Sequence, residues 1–392
     1  MPGYAWIILA VVFLASLAAS LNQAKVPPVM PVLMERFNLS LTRAGMLMSI
    51  FAITGVILAL PAGLIMQRLG IKVTALIAVG SLVVGSSLGA LSNTPAVLLL
   101  SRFVEGIGMG LISVVAPAAI TLWFAPQKRG TPMGIWATWV PLGISVMYIL
   151  APRIATAFGW QAIWWLSAAY SGLAFVLVLV FLRAPADLTA PRQASGATPG
   201  NGSAPFKKIC SNRDIWLLAG AFTLLVLTTI GPANYYPTFL STERGYNMNG
   251  ASFTASLGTL VMLVFTPLAG ILFDRFKIRK AGFTWPILAI ACLVVLQFQL
   301  TGWLIPTVMI LTGVIGGAAP TAIFAATPEI ARKPELAGLG LSVITLGQNL
   351  GMFLGPILFG ALVERMSWSA AGFAMLPLLI VGFFLARAVR VR

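Results

Sequence analysis

Two stretches decide the fold: PAGLIMQRLGIK at residues 61–72 and PLAGILFDRFKIRK at residues 267–280. Each closes a long apolar run with a proline and an Ala-Gly pair, and each continues into a short basic segment. Gly63 and Gly270 are 207 residues apart, and Gly106 recurs as Gly313 at the same offset. One pattern at corresponding places in two halves predicts an internal repeat of a whole bundle of helices.

The composition excludes most soluble proteins. Hydrophobic residues make up 59% of the 392 residues and charged residues only 9%, with a mean hydropathy of +0.97. A soluble domain carries about 25% charged residues. The chain has no histidine and two distant cysteines, so we expect neither a metal site nor a cofactor. Because no nucleophile–base pair is recognisable either, an enzyme is not expected.

Apolar runs long enough to cross a bilayer, about 20 residues each, occur twelve times. They lie near Tyr4–Met34, Arg43–Met66, Val73–Leu91, Ala96–Phe124, Thr131–Thr156, Gln161–Leu182, Ile215–Leu240, Ser252–Phe273, Phe283–Leu300, Leu304–Thr327, Leu336–Leu362 and Ser369–Leu385. The predicted fold class is an all-α membrane protein with twelve transmembrane helices in two pseudo-symmetric six-helix bundles. The bundles are expected at 1–183 and 213–392, joined by a Pro/Gly-rich cytoplasmic linker at 184–212.

Most of the basic residues behind the formal charge of +16 lie in the predicted loops between the spans. Eighteen of the 25 basic residues fall on the side of the termini and the linker, and five fall on the opposite side. Because basic residues collect in cytoplasmic loops, both termini are expected in the cytoplasm of a bacterial cell, with the chain in the inner membrane. The surplus is therefore not interpreted as a nucleic-acid surface, and we expect a monomer in the lipid bilayer.

Three motifs resemble the major facilitator superfamily over essentially the whole chain. Residues 63–72 are similar to its G-x-x-x-D-R-x-G-R-K signature, with Gln67 in place of aspartate, and residues 270–280 repeat it. Residues 102–110, RFVEGIGMG, resemble its R-x-x-x-G-x-G element, and Trp139–Gly143 partly resembles the motif of its drug antiporters. The resemblance implies secondary transport by alternating access, and it is strongest to bacterial permeases for small anions and organic acids.

The first motif and its repeat imply a gating role at the inner face for a set of loop residues. These are Gly63, Arg68, Gly70, Lys72, Gly270, Asp274 and Arg275. The alternative is that the basic members only mark the cytoplasmic side.

Ionisable residues inside the spans are Lys25, Arg102 and Glu105. Such residues cost about 3 kcal/mol or more at a helix centre, so each is a candidate functional group. All three are expected at similar depth, about 9–14 Å from the outer ends of the first and fourth spans, and in the resembled family both helices line the central cavity. Together they carry a net charge of +1. This favours an anion bound by Lys25 and Arg102, with Glu105 as the proton carrier. The alternative is that Arg102 and Glu105 form a structural clamp and only Lys25 meets substrate.

Polar and aromatic residues of neighbouring spans are the remaining predicted substrate contacts. They are Asn22, Trp136, Trp139, Tyr148, Asn234, Tyr235, Tyr236, Gln348 and Asn349. The aromatic members could equally serve ordinary packing or an interfacial belt.

The predicted function is a secondary transporter of a small organic anion, a monocarboxylate or an aromatic acid, by proton symport. The alternative is a proton-driven multidrug exporter, which the partial antiporter motif and Glu105 favour. A membrane sensor on the same scaffold would need a signalling domain, and the loops are too short to hold one.

Overall fold

The helices follow the apolar runs. The computed structural model describes residues 2–59, 61–125, 128–183, 211–276, 279–331 and 334–390, and within these ranges all regular structure is helical. The α-helices are α1 (Pro2–Ala24), α2 (Met30–Phe37), α3 (Leu41–Leu58), α4 (Pro61–Ala90), α5 (Pro95–Trp123), α6 (Gly130–Ala137), α7 (Trp139–Phe158), α8 (Gln161–Phe181), α9 (Arg213–Glu243), α10 (Met248–Phe276), α11 (Arg279–Leu296), α12 (Leu304–Gly316), α13 (Ala318–Ala331), α14 (Pro334–Arg365), α15 (Trp368–Ala374) and α16 (Leu376–Ala388).

The described ranges contain eleven helical segments that are long and apolar enough to cross a membrane, and a shorter apolar helix at Lys280–Leu296 is the twelfth. The all-α membrane fold class is thereby confirmed. Several segments are broken, and the first is broken most clearly. There α1 ends at Ala24, a single 3₁₀ turn follows at Pro27–Val29, and α2 resumes at Met30. Two consecutive prolines, each lacking an N–H, account for this break.

Two compact units make up the chain. The first comprises Met1–Thr189 and Tyr235–Thr259, and the second comprises Ala190–Asn234 and Leu260–Arg392. In the first unit α4 packs on α5 and α8, α3 packs on α5, and α1 packs on α5, α7 and α8. In the second unit α11 packs on α13 and α16, and α13 packs on α14. Of the predicted linker only residues 211 and 212 are described, so the predicted bundle boundaries stay predictions.

Close helix approach in the first unit depends on small residues. A Cβ atom added to Gly106 of α5 would lie 2.3 Å from the Phe51 carbonyl oxygen of α3, far inside contact distance. A Cβ atom added to Gly85 of α4 would lie 2.6 Å from Cγ of Glu105. These glycines let three backbones approach closely around the middle of α5, as small residues do in membrane bundles.

Gly70 forms a sharp turn inside the first basic motif. Its φ of 77° and ψ of 165° interrupt α4, and Thr74 Oγ1 donates a hydrogen bond to its carbonyl oxygen at 2.8 Å. The predicted spans stop at Met66 and restart at Val73, whereas helix continues on both sides up to this one residue. The φ/ψ region is open essentially to glycine alone.

Gly70→Ala is therefore expected to cost about 1–3 kcal/mol of stability through backbone strain, since an added Cβ would meet no neighbouring atom within 4 Å. The measurement is the thermal unfolding midpoint of the purified protein. Gly172→Ala in α8 is the matched control, because its Cβ also enters open space and no positive φ is involved. Equal midpoints for the two variants would contradict the strain argument.

Candidate functional site

Three ionisable side chains meet in the interior of the first unit. Lys25 lies directly after the last residue of α1, at the break in the first segment, and Arg102 and Glu105 lie one turn apart on the same face of α5. All three are 0% exposed. Glu105 contacts both Lys25 and Arg102, and we refer to Lys25, Arg102 and Glu105 as the charge cluster.

The Glu105 carboxylate is shared between both cations. Lys25 Nζ lies 2.6 Å from Glu105 Oε1, and Arg102 Nη1 donates to Glu105 Oε2. The structural alternative considered from the sequence separated Lys25 from an Arg102–Glu105 clamp. In the structure Lys25 belongs to the same clamp, so the three groups form one electrostatic unit.

Lys25 has a full set of acceptors. Besides Glu105, its ammonium group donates to Asn22 Oδ1 at 2.8 Å and to Ser86 Oγ at 3.2 Å. The Trp164 ring of α8 lies 4.7 Å from Nζ, which adds a cation–π contact. An ammonium group has three N–H donors, and here each has an oxygen partner.

Arg102 is held by two carbonyl oxygens. Its Nε donates to the Leu47 carbonyl of α3 at 3.0 Å, and its Nη1 also donates to the Asn22 carbonyl of α1 at 2.7 Å. The guanidinium carbon lies 4.5 Å from the centre of the Phe51 ring. Within the described part of the chain, the buried Nη2 has no hydrogen-bond partner. The N–H donors of this nitrogen are therefore unused.

The charge cluster carries two cations and one carboxylate, a net charge of +1. Charges interact more strongly away from water because the effective dielectric constant falls. A surplus buried charge is costly unless it is paired. The buried Nη2 of Arg102 is an unused donor of this cluster within the described residues.

Asn22 organises the cluster from α1. Its Oδ1 accepts from Lys25 and from Ser86, at 2.8 Å and 2.6 Å, and its Nδ2 donates to the Ala18 carbonyl and to Ser171 Oγ of α8. Among the remaining predicted substrate contacts, Asn22 touches the charge cluster in the structure.

Of the predicted aromatic contacts in the fifth span, Trp136 lies beside α1 at Ser16. Trp136 and Trp139 stack with ring centres 6.0 Å apart, and Trp136 Nε1 donates to Ser16 Oγ at 2.9 Å. Ser16 precedes Asn22 by six residues, about 9 Å along the helix. Tyr148 is buried in α7.

The seventh-span tyrosines are buried in the first unit. Tyr235 donates a hydrogen bond from its hydroxyl to the Leu41 carbonyl at 2.6 Å, and the ring of Tyr236 lies 5.7 Å from that of Phe239. The remaining predicted contacts, Asn234, Gln348 and Asn349, are partly exposed in the second unit. Their role in binding stays a prediction.

The structure gives the exposure of the predicted gating residues in the first basic motif, and their gating role stays a prediction. Arg68 and Gly70 are exposed, and Gly63 and Lys72 are partly buried. In the second unit a Cβ atom on Gly270 would lie 3.7 Å from Thr321 Cγ2. The side chains of Asp274 and Arg275 lie outside the described residues.

Three side chains of the site were not identified from the sequence. Ser86 of α4 contacts the charge cluster directly, Trp164 of α8 covers Lys25, and Phe51 of α3 covers Arg102. A signal for Ser86 does exist, since it lies in the run Gly85-Ser-Ser-Leu-Gly89, where small residues allow close approach of α5. Trp164 is one of 11 tryptophans and carries no comparable signal.

Comparisons with known proteins agree with the motifs. The family model of the Major Facilitator Superfamily matches residues 11–337. A hexuronate transporter of Bacillus subtilis is 25% identical over 243 residues, which covers 61% of this chain and 57% of the relative. The chain thus spans less than two-thirds of that relative's length.

Two further relatives match over more of their length. A probable nitrate transporter of Staphylococcus haemolyticus is 23% identical over 85% of this chain and 83% of its own. A probable sulfoacetate transporter of Cupriavidus necator is 23% identical over 96% of this chain and 90% of its own. Multidrug transporters also match over shorter stretches, such as 34% of this chain for one from Aspergillus fumigatus.

Removing Glu105 is expected to destabilise the protein more than removing Lys25. Glu105→Gln leaves two buried cations without a counter-charge, a change worth about 3–5 kcal/mol. Lys25→Met removes the surplus charge, leaves Arg102 and Glu105 paired, and loses mainly hydrogen bonds, about 1–2 kcal/mol. Thermal unfolding of both variants in lipid nanodiscs measures the order. A larger loss for Lys25→Met would contradict the charge count.

Proposed function

We propose that this chain, which belongs to the Major Facilitator Superfamily, is a secondary transporter of a small organic anion. The substrate would be a monocarboxylate or an aromatic acid, carried together with a proton by alternating access. Two relatives matched over most of their length are named as a probable nitrate transporter and a probable sulfoacetate transporter, and nitrate and sulfoacetate are both anions.

The observation that carries the proposal is the unbalanced charge cluster. It holds two buried cations that share one carboxylate, and the Nη2 of Arg102 beside them has no hydrogen-bond partner in the described residues. A substrate carboxylate that took the place of an uncharged Glu105 would keep both cations paired, and it would also be an acceptor for Nη2. Charge-assisted bonds of this kind are about twice as strong as neutral ones.

The sharing of Glu105 between Lys25 and Arg102 supports the proposed proton coupling. Its two oxygens bind both cations at once, so a substrate carboxylate can take over these contacts only if Glu105 gives them up. A proton on Glu105 removes its charge and releases Lys25 and Arg102 for the substrate. In this scheme the proton and the anion enter together, which is symport.

The paired indoles of Trp136 and Trp139 suit the organic part of the substrate. They offer an aromatic surface about two turns of α1 away from Asn22. An aromatic acid could place its carboxylate at the charge cluster and its ring toward the indoles.

Location and gating are part of the same proposal. The distribution of basic residues supports an inner-membrane protein with both termini in the cytoplasm. The basic motif around Gly70 would form the inner gate. Arg68 lies just before the interruption of α4 at Gly70, and positive charge is favoured near the C-terminal end of a helix. We expect the transporter to work as a monomer.

A multidrug exporter is the second candidate, favoured by the match to multidrug transporters and by the partial motif at Trp139–Gly143. The charge cluster argues against it, because a surplus buried cation repels cationic drugs. Resistance profiles of cells that overproduce the wild type or Glu105→Gln separate the two. Resistance to several cationic drugs that Glu105→Gln abolishes would favour export of drugs and contradict the anion proposal.

Ligand binding should raise thermal stability in a way that depends on Lys25. We expect a carboxylate in a panel of monocarboxylates, aromatic acids, inorganic anions and cationic drugs to stabilise the purified wild type. Saturation at 100 times the dissociation constant corresponds to about 2.7 kcal/mol. Lys25→Ala and Arg102→Ala should lose this shift and the uptake of the same carboxylate by proteoliposomes.

The matched control is Arg153→Ala, which removes one exposed positive charge outside the charge cluster and should keep the shift. Retention of binding and uptake by both Lys25→Ala and Arg102→Ala would refute the anion site. Stabilisation by cationic drugs alone would refute the substrate class.

A further inference from the structure

The hydroxyl of Ser86 touches both ends of the Lys25–Glu105 ion pair. Its Oγ lies 3.2 Å from Lys25 Nζ, 3.1 Å from Glu105 Oε1 and 2.6 Å from Asn22 Oδ1. The side chain is fully buried, so no bulk water competes for these contacts. Its position is fixed by the close approach of α4 and α5 at Gly85.

A hydroxyl group has a single proton and two lone pairs. Ser86 therefore cannot donate to Asn22 and to Glu105 at the same time. The contact with Asn22 is the shorter by half an ångström, which favours donation to the amide oxygen. The oxygen of Ser86 then accepts from Lys25, and it turns a lone pair toward Glu105.

The two ion pairs favour an ionised Glu105, whereas the Ser86 contact taken alone suits a protonated Glu105 better than an ionised one. Against a carboxylate, the proton of Ser86 must leave Asn22, or two electron-rich oxygens face each other at 3.1 Å. Against a carboxylic acid, the acid O–H donates to Ser86 Oγ while Ser86 continues to donate to Asn22 Oδ1. A neutral Glu105 thus keeps a hydrogen-bond partner after it has released the two cations.

We propose that Ser86 is a positioning residue for proton uptake, holding Glu105 in its protonated form at the moment when Lys25 and Arg102 become free for an anion. The inference deepens the proposed function and rests on its proton-coupling step. Ser86 contacts no substrate in this scheme, and it acts through Glu105 and Asn22.

The charged groups that face Glu105 are few. Lys25 approaches from the end of α1 and Arg102 from α5 itself. The elements packed against α5 bring no other charge to this point in the described residues. Arg43 of α3 and Arg68 and Lys72 of α4 are exposed or partly exposed, and Lys72, the nearer of the two on α4, precedes Ser86 by 14 residues. A substitution at Ser86 therefore leaves the charged groups around Glu105 unchanged.

The test is an infrared titration of the full-length protein in lipid nanodiscs, which needs no substrate. The carboxylic acid C=O band is followed as pH is lowered, and the part of it lost in Glu105→Gln is assigned to Glu105. We expect Ser86→Ala to require about a fivefold higher proton concentration for half-protonation, the worth of one hydrogen bond of about 1 kcal/mol. Ser86→Thr, which keeps the hydroxyl, should restore most of the wild-type midpoint.

Ser87→Ala is the matched control, since it removes a neighbouring hydroxyl of α4 outside these contacts. Ser86→Gly, which also lacks the hydroxyl, replaces Ser86→Ala should the latter not purify. An unshifted midpoint in the hydroxyl-free variant, or a shift toward higher pH, overturns the role of Ser86 and leaves proton uptake by Glu105 standing. A wild type without any band that Glu105→Gln removes overturns both, while anion binding is judged separately by the thermal-shift screen.

Discussion

The sharing of one buried carboxylate by two buried cations is the constraint on which the first unit depends. Glu105 is within bonding distance of Lys25 and Arg102, and none of the three is exposed. Each cation needs further oxygen partners, and these come from side chains and carbonyl groups of α1, α3 and α4. The relative rotation and depth of these helices are therefore set by polar contacts as well as by packing. Apolar side chains alone, which lipid can replace, would not fix them so closely.

Glycine and proline make this geometry possible. Gly85 and Gly106 allow α3, α4 and α5 to approach until side chains reach across within hydrogen-bond distance. The break after Ala24 ends α1 so that Lys25 leaves the helical repeat and turns toward α5. Irregular backbone at membrane depth is tolerated where protein surrounds it, and the residues of this break are buried.

The sequence was sufficient for the fold and for the identity of the charged residues, because both depend on one-dimensional signals. Apolar runs have a required length, and a charge inside such a run is conspicuous whatever surrounds it. Equal depth along two helices was enough to predict that Lys25 meets Glu105. Helix rotation and the exact break points leave no such signal. For that reason Ser86, Trp164 and Phe51 were missed, and the turn at Gly70 was predicted as a longer loop.

The full set of partners around Lys25 bears on the proposed proton coupling. Its three donors already have partners, and Arg102 offers only Nη2. An anion that merely joined the charge cluster would meet one open nitrogen and the negative charge of Glu105 beside it. An anion that replaced Glu105 would gain both cations, but the displaced carboxylate would then be buried without a partner, at a cost of several kcal/mol. Protonation of Glu105 removes that cost, so in this scheme the proton must bind before the anion or together with it. Coupling in this scheme therefore needs no separate proton site or relay, since competition for the same two cations is enough to make one proton the condition for one anion.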